Sequence, residues 1–109
     1  MIHATITLKM PVQKVREVVD ILGSVAERTR IQAGCISCRI YHDEQEENVV
    51  MMDEVWRTQE EHECHLRSAE YRKVLLVVEM AKEKPEIKFS EFSESTGVET
   101  IEKARSQMR

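Results

Sequence analysis

Glycine, proline and aromatic residues are scarce in this sequence of 109 residues, which has three glycines, two prolines and 5% aromatic side chains. Neither a Gly-x-Gly-x-x-Gly pattern nor a P-loop is present, and such glycine-rich turns are the usual backbone cradles for nucleotides and dinucleotides. A Ser/His/Asp hydrolase pattern is missing as well. The sequence therefore gives no support to a nucleotide-dependent enzyme or to a serine hydrolase.

Long hydrophobic runs are also absent. The longest, Val74 to Val78, has five residues, whereas a helix that crosses a membrane needs roughly 18. The first residues do not combine a basic stretch with a long apolar one, so no signal peptide is expected. The three cysteines are an odd number and are expected to be reduced thiols, which makes the cytoplasm the expected location.

Charge is spread along the chain without a basic cluster. There are 16 Lys and Arg residues against 20 Asp and Glu residues, which gives a formal net charge of −4. Proteins that bind nucleic acid or anionic membranes carry a concentrated positive patch, so neither is expected as a partner. With 41% hydrophobic and 33% charged residues, the composition is that of one ordinary globular domain.

Hydrophobic periodicity predicts the element order β-α-β-β-α-β. A spacing of two indicates strands, and spacings of three and four indicate helices. Thr58 and Glu61 have the form of a capping box, which predicts that the second helix begins there. The first helix is expected to be broken or weakened at Gly23-Ser24, and Pro85 is expected to stop the second. The predicted strands are 2–9, 35–41, 48–56 and 86–93; the predicted helices run from 11 to before Gly34 and from 58 through 80, with a kink near Ser68.

This order is the ferredoxin-like α+β pattern, a four-stranded antiparallel sheet with both helices on one face. A sheet that is open to water on one side should alternate apolar and polar residues, but the third strand is apolar on both faces. We therefore expect a second copy of the chain to cover the bare face, which makes the protein a homodimer. The apolar residues are Val49, Met51 and Val55 on one face and Val50, Met52 and Trp56 on the other.

The C-terminal segment is a separate prediction. Val98, Ile101, Ala104 and Met108 follow Gly97 at helical spacing, which predicts a short helix that would be marginal alone. We therefore divide the chain into a domain over residues 1–96 and a helical extension over residues 97–109. The extension is expected to pack across the dimer or to close the mouth of a pocket.

Two neighbouring segments resemble a known family. The first, Asp53-Glu54-Val55-Trp56-Arg57-Thr58-Gln59-Glu60, ends a strand in Glu-x-Trp; the second comprises His65-Leu66-Arg67-Ser68 and Tyr71-Arg72 on the following helix. With Gly34-Cys35 before the second strand, and with the order of elements over residues 1 to about 94, they resemble the antibiotic-biosynthesis monooxygenase family. The resemblance implies a dimeric α+β barrel in which each subunit has a pocket between its sheet and its helices.

The resemblance narrows the function without fixing the reaction. It implies oxygenases that oxidise quinols and polyketide phenols without metal or flavin, enzymes that degrade haem, and at least one isomerase. The leading hypothesis is a cofactor-independent monooxygenase that oxidises a small quinol-like or phenolic compound with O2. The alternatives are a haem-binding or haem-degrading protein with His65 as axial ligand, a non-catalytic dimeric ligand-binding module, and an isomerase acting on a small sugar-derived ketone.

Trp56 and His65 are the predicted catalytic residues. The resemblance implies that Trp56, the only tryptophan, lines the pocket as an apolar wall; a lone tryptophan is otherwise a core or interface anchor. Histidine is the side chain best suited to accept a proton near neutral pH. His65 is therefore expected to deprotonate the substrate hydroxyl, unless it is a surface residue without a role.

Three further residues are candidate substrate-binding groups. Glu54 projects to the same strand face as Trp56 and needs a partner there, either a histidine or an arginine such as Arg39. Tyr71 could donate a hydrogen bond to a phenolic oxygen. His3 lies where haem-degrading relatives carry an asparagine, which this sequence lacks, so the resemblance to that branch is weaker.

A metal site is not expected. Cys35-x-x-Cys38 and His62-x-Cys64-His65 contain zinc-ligand residue types. However, Cys35 and Cys38 lie three residues apart in one predicted strand. They are therefore expected on opposite faces of the sheet. We therefore predict neither metal nor cofactor, and we expect the cysteines to act as small hydrophobes.

Overall fold

The computed structural model of the protein describes residues 1–107. Within these residues, four strands and four helices follow the predicted order, except that two helices take the place of the one predicted over residues 58–80. The strands are β1 (Ile2–Lys9), β2 (Cys35–His42), β3 (Val49–Trp56) and β4 (Glu86–Glu91); the helices are α1 (Val15–Thr29), α2 (Gln59–Leu66), α3 (Tyr71–Glu79) and α4 (Val98–Ser106).

The four strands form one antiparallel sheet in the order β2-β3-β1-β4, which is the ferredoxin-like arrangement. Alternate residues of β1 and β3 are buried, and α1 and α3 pack on that face. We call this the covered face and the opposite one the open face. The open face carries His3, Thr5 and Thr7 of β1, Val49, Met51, Asp53 and Val55 of β3, Arg39 and Tyr41 of β2, and Lys88 of β4.

One core fills the space between the covered face and the helices. Side chains at period two along the strands meet side chains at helical spacing on α1 and α3. The buried apolar residues of this core include Ile6, Leu8, Val50 and Met52 from the sheet, Val18, Leu22, Val25 and Ala26 from α1, and Val74 and Val77 from α3.

The first helix is continuous through Gly23, where the sequence predicts a break or a weak point. A single 3-10 turn over Val12–Lys14 precedes α1, which then runs without interruption to Thr29. A glycine costs a helix about 1 kcal/mol relative to alanine. Burial of Leu22 and Val25 on either side of Gly23 outweighs that penalty, because burying one such side chain contributes about 1.5–3 kcal/mol.

The kink expected near Ser68 is a complete break between α2 and α3. The Ser68 hydroxyl donates to the carbonyl of His65 at 2.7 Å, and its oxygen accepts from the amide of Tyr71 at 3.2 Å. Ser68 thus satisfies one backbone group at the end of α2 and one at the start of α3. Thr58 caps α2 as predicted, since its hydroxyl accepts from the Glu61 amide.

Two glycines offer a matched test of this fold. No heavy atom lies within 4 Å of a β-carbon placed at Gly23, so Gly23→Ala is expected to raise the free energy of unfolding by about 0.5–1 kcal/mol. Gly34 has a φ of 85°, and its added β-carbon would collide with the Glu61 side chain. Gly34→Ala is therefore expected to lower the free energy of unfolding by about 1–3 kcal/mol. Urea denaturation measures both; a stabilising Gly34→Ala would contradict the structure.

The helix predicted after Gly97 is present, but none of its residues is buried. Val98 and Ile101 are more than half exposed, so the apolar side of α4 is open to solvent within residues 1–107. Met108, which the sequence also places on that side, lies outside the described residues. The division of the chain at residue 96 stays a prediction.

No helix within residues 1–107 combines the length and the hydrophobicity needed to cross a membrane.

Candidate functional site

A buried carboxylate organises the covered face at the end of β3. Glu54 and Trp56 are two residues apart, so both point toward the helices, and each is at most 2% exposed. The indole Nε1 of Trp56 donates to Glu54 Oε1 at 2.8 Å. A carboxylate buried in this way needs partners, and the indole is the first of them.

His65 on α2 is the second partner. Its ring stacks on Trp56, with centroids 4.7 Å apart and planes inclined by 27°. Its Nε2 lies 3.4 Å from Glu54 Oε2, within ion-pair range but without hydrogen-bond geometry. Its Nδ1 lies 2.9 Å from Gln32 Oε1. Both ring nitrogens of His65 therefore face protein groups, and the residue is 1% exposed.

A β-bulge between Cys35 and Ser37 brings two cysteines to the same face of the sheet. Cys35 and Cys38 pair with Trp56 and Glu54, both of which lie on the covered face, so the expectation of opposite faces was wrong. The extra residue of the bulge shifts the alternation by one position. Such a shift cannot be read from the spacing alone.

The Cys38 thiol belongs to the same cluster. Its Sγ lies 3.8 Å from Glu54 Oε2, toward which it donates a weak hydrogen bond. Burial, aided by the charge of Glu54, raises the pKa of Cys38 well above its ordinary value of 9.0. The thiol therefore stays protonated at neutral pH and serves as a donor to the carboxylate. Within residues 1–107, no group of three or more His, Cys, Asp or Glu side chains is arranged to hold a metal ion.

Tyr71, at the start of α3, closes the cluster on its other side. Its ring meets the His65 ring edge-on at a centroid distance of 5.1 Å. Burial, together with the charge of Glu54, raises the pKa of Tyr71 to about 12. Its hydroxyl is thus protonated across the physiological range and can act only as a neutral hydrogen-bonding group.

A groove lies next to this cluster, between α2 and the edge of the sheet. Its volume is about 290 Å³, at the small end of ligand-binding sites. Trp56, Glu54 and His65 do not line it; they lie behind it. The lining residues are Ile2, Gln59, His62, Glu63 and Leu66 on one side and Phe89, Ser90 and Glu91 of β4 on the other.

His62 connects the groove to the buried cluster. It is 3% exposed, and its ring lies 6.1 Å from that of Trp56 and 4.8 Å, edge-on, from that of Phe89. From the sequence alone, His62 stands out only as a residue of a zinc-ligand type. The sequence does indicate that His62 lies beside His65, because the two are three residues apart and residues with that spacing share a face of a helix.

The predicted site residues separate into two groups. Glu54, Trp56, His65 and Tyr71 come together on the covered face, as described above. His3 lies on the open face, where its Nε2 is 3.0 Å from Asp53 Oδ2. It cannot contact the same ligand within one protomer, because the sheet separates the two faces. Arg39 also lies on the open face, opposite Asp53. Of the two partners expected for Glu54, a histidine or an arginine, it is the histidine, His65, that lies beside it.

The sheet order, the helices on one face and the buried Glu-x-Trp pair define a ferredoxin-like α+β domain. A family model described as antibiotic biosynthesis monooxygenase matches residues 1–75. The match spans more than half of the chain, so the chain belongs to that family, as the resemblance of the two motifs predicted.

Solved structures with this fold include three that cover most of the chain. A candidate antibiotic biosynthesis monooxygenase from Deinococcus radiodurans superposes with a TM-score of 0.81 at 17% identity, covering 89% of this chain and 97% of its own. A conserved protein from Methanosarcina mazei gives 0.78 at 22% identity, with coverages of 84% and 92%. A protein from Mycobacterium tuberculosis gives 0.73 at 19% identity, with coverages of 89% and 100%. No curated protein matches the sequence significantly.

Proposed function

We propose that this chain is a cofactor-independent monooxygenase that oxidises a small quinol-like or phenolic compound with O2. The observation that carries the proposal is the groove beside α2, backed by the buried cluster of Glu54, Trp56 and His65. Membership of the antibiotic biosynthesis monooxygenase family supports it. In this proposal the oxidation depends on Trp56 and His65. The Tyr71 ring packs edge-on against the His65 ring.

The chemistry follows from the substrate's own electrons. A quinol that has lost a proton is electron-rich enough to pass an electron to O2 directly. With one ring C–H available, the quinol supplies all the electrons that O2 needs: one oxygen atom enters the ring, the other leaves as water, and the product is a hydroxyquinone. The protein's part is to remove the proton, hold the two reactants together and keep water out.

Haem binding through His65 does not fit the arrangement of this site. An axial ligand needs a ring nitrogen that is free to point at the iron. The two nitrogens of His65 face Glu54 and Gln32, and the side chain is fully buried. A haem plane next to Trp56 would have to displace the stack between these two rings.

The second candidate is a non-catalytic binding module, and one observation favours it. Glu54, Trp56 and His65 are each at most 2% exposed, so a ligand in the groove meets the cluster only through His62. On this view the cluster is a structural core and the groove binds without turnover.

An oxygen electrode separates the two candidates. Chelator-treated protein is mixed with a series of alkylated hydroquinones and naphthohydroquinones, and oxygen uptake is compared with that of heat-denatured protein. We expect catalysed uptake with at least one quinol and no accumulation of hydrogen peroxide, which uncatalysed autoxidation produces. Tight binding of the quinols without uptake would favour the binding module instead.

We further propose that the open face of the sheet packs against that of a second copy, which makes the protein a homodimer. Val49, Met51 and Val55 lie in the middle of this face and are only half-buried in the protomer. They form an apolar strip that a partner sheet would cover. The proposal agrees with the dimeric α+β barrel that the family resemblance implies.

Met51→Glu tests the homodimer. A carboxylate in the middle of a sheet-to-sheet interface loses its hydration without gaining a partner, so we expect the dimer to dissociate at least about tenfold more readily. Sedimentation velocity measures the change. Leu76→Glu, on the exposed side of α3, is the control and should leave the dimer intact. A wild-type protein that sediments as a monomer at every concentration would contradict the proposal.

A further inference from the structure

His62 holds a buried polar atom that no other group in the described chain satisfies. The Nε2 of His62 is inaccessible to water and has no hydrogen-bond partner. Unpaired buried polar atoms cost stability and are rare in native proteins, so each needs a reason. A ligand in the adjoining groove would give this nitrogen the partner that it lacks.

The position of His62 also distinguishes it from His65. The Nε2 of His65 also lacks a hydrogen bond, but it lies 3.4 Å from Glu54 Oε2 and His65 does not line the groove, whereas His62 does. Of the two histidines on this face of α2, His62 is therefore the one that a ligand can reach. His65 stacks behind it on Trp56 and fixes the surface against which His62 rests.

The groove also has a charge preference. Its lining includes the carboxylates of Glu63 and Glu91, both on exposed residues, and no lysine or arginine. A ligand that carries a carboxylate or a sulfonate would meet two like charges at the rim without a compensating cation. The apolar lining, Ile2, Leu66 and Phe89, favours an aromatic or aliphatic ring.

We propose that the groove binds an uncharged aromatic hydroxyl compound whose O–H donates to Nε2 of His62, and that His62 is the catalytic residue that takes this proton. The oxygen–hydrogen bond breaks, the proton moves to Nε2, and the electron pair stays on the oxygen of the ligand. The ligand thereby becomes the electron-rich anion that the proposed oxygenase reaction needs, so the catalytic half of the proposal rests on that proposed function.

The ionisation of His62 is consistent with this role. Burial lowers the pKa of His62 below its ordinary value of 6.5 and outweighs the opposing influence of Glu54, while the nearby His65 lowers it further. The ring is therefore neutral at pH 7, and one of its nitrogens has a lone pair free to accept.

Phe89 is the exposed neighbour of His62 in the groove. Its ring covers the imidazole edge-on, but the side chain is 48% exposed and every residue of β4 is exposed. The proposal requires Nε2 to become accessible from the groove, and a rotamer change of the exposed Phe89 side chain is the movement that would allow it. The ring can then lie against the bound aromatic ligand.

The test compares three ligands by calorimetry without oxygen. The probes are 1-naphthol, 1-methoxynaphthalene, which lacks the donor hydrogen, and 4-hydroxy-1-naphthoate, which adds a negative charge. We expect wild-type protein to bind 1-naphthol about tenfold more tightly than either of the other two, which corresponds to about one hydrogen bond. In addition, 1-naphthol should shift the ring 15N resonances of His62 more than those of the other three histidines.

Variants assign the preference to individual residues. His62→Leu should bind the naphthol and the methyl ether equally, and His62→Gln, which restores an acceptor, should recover part of the difference. Glu91→Gln should relax only the discrimination against the carboxylate. His42→Leu, on an exposed histidine of β2, is the control. Melting curves are expected to show His62→Leu folded, because it removes an unpaired polar atom.

The proposal is overturned if the wild-type protein does not distinguish naphthol from its methyl ether, if it binds none of the probes, or if His62→Leu keeps the preference. Because no oxygen is present, these outcomes do not depend on turnover. A His62-dependent preference without quinol oxidation would remove the oxygenase proposal and leave the binding site. If quinols are oxidised and His62→Leu keeps the wild-type rate, the oxygenase proposal stands and the role of His62 as the base is removed.

Discussion

Glu54→Ala is expected to lower the free energy of unfolding by about 2–5 kcal/mol, because each buried donor left without an acceptor costs about 1–3 kcal/mol. The indole of Trp56 and the thiol of Cys38 both lose their acceptor, and the ring of His65 loses its polar neighbour. None of them can turn to water, because all three are buried. Their desolvation is then uncompensated, which is the main source of the loss. Guanidinium denaturation followed by Trp56 fluorescence measures it.

Two further variants separate the polar network from the volume of the side chain. Glu54→Gln keeps an oxygen for the indole and fills the same space, so we expect a loss of only about 1–2 kcal/mol. Asp53→Ala, at the neighbouring position, removes the His3 pair on the open face. That pair is partly exposed, and we expect at most about 1 kcal/mol. A Glu54→Ala variant as stable as Asp53→Ala would show that the network contributes little.

His65→Phe is expected to lower kcat for quinol oxidation by about 100-fold. The phenyl ring keeps the stack on Trp56 but loses the contacts with Glu54 and Gln32. His65 does not touch the ligand in our account, so it acts as a positioning residue. Misplacement of a reacting group by about 1 Å costs roughly this factor. Because the groove itself is unchanged, KM should change much less than kcat.

Stopped-flow kinetics under saturating quinol gives the kcat and KM values separately. His65→Gln keeps a polar N–H group beside Glu54 and should recover part of kcat, which a purely structural loss would not allow. The exposed His42 again supplies the control, since His42→Phe should leave both constants unchanged. Equal loss of kcat and of folded protein in His65→Phe would argue against a positioning role.

The fold and the family could be predicted from the sequence because both depend on local patterns. Alternation along Ile2–Lys9 and the apolar run at Val49–Trp56 predict strands, and the capping box at Thr58 places the start of α2. All of these are confirmed. The Glu54-x-Trp56 spacing also predicts two side chains on one face, which holds because the period of a strand is fixed.

The details of the site depend on interactions that local patterns do not encode. The bulge after Cys35 moves Cys38 beside Glu54, and it arises from the pairing of β2 with β3. The continuity of α1 through Gly23 depends on its burial against the sheet. Likewise, His62 becomes a groove residue only because Phe89, on the last strand of the sheet, lies opposite it. Contacts between residues far apart in sequence decide each case.

Oxygen labelling tests the central claim most directly. A quinol that the protein turns over is supplied with 18O2 in unlabelled water, and the product is analysed by mass spectrometry. We expect a hydroxyquinone that carries one 18O atom, formed at a rate that falls about 100-fold in His65→Phe. A product without the label, or labelled product formed equally fast in that variant, would contradict it.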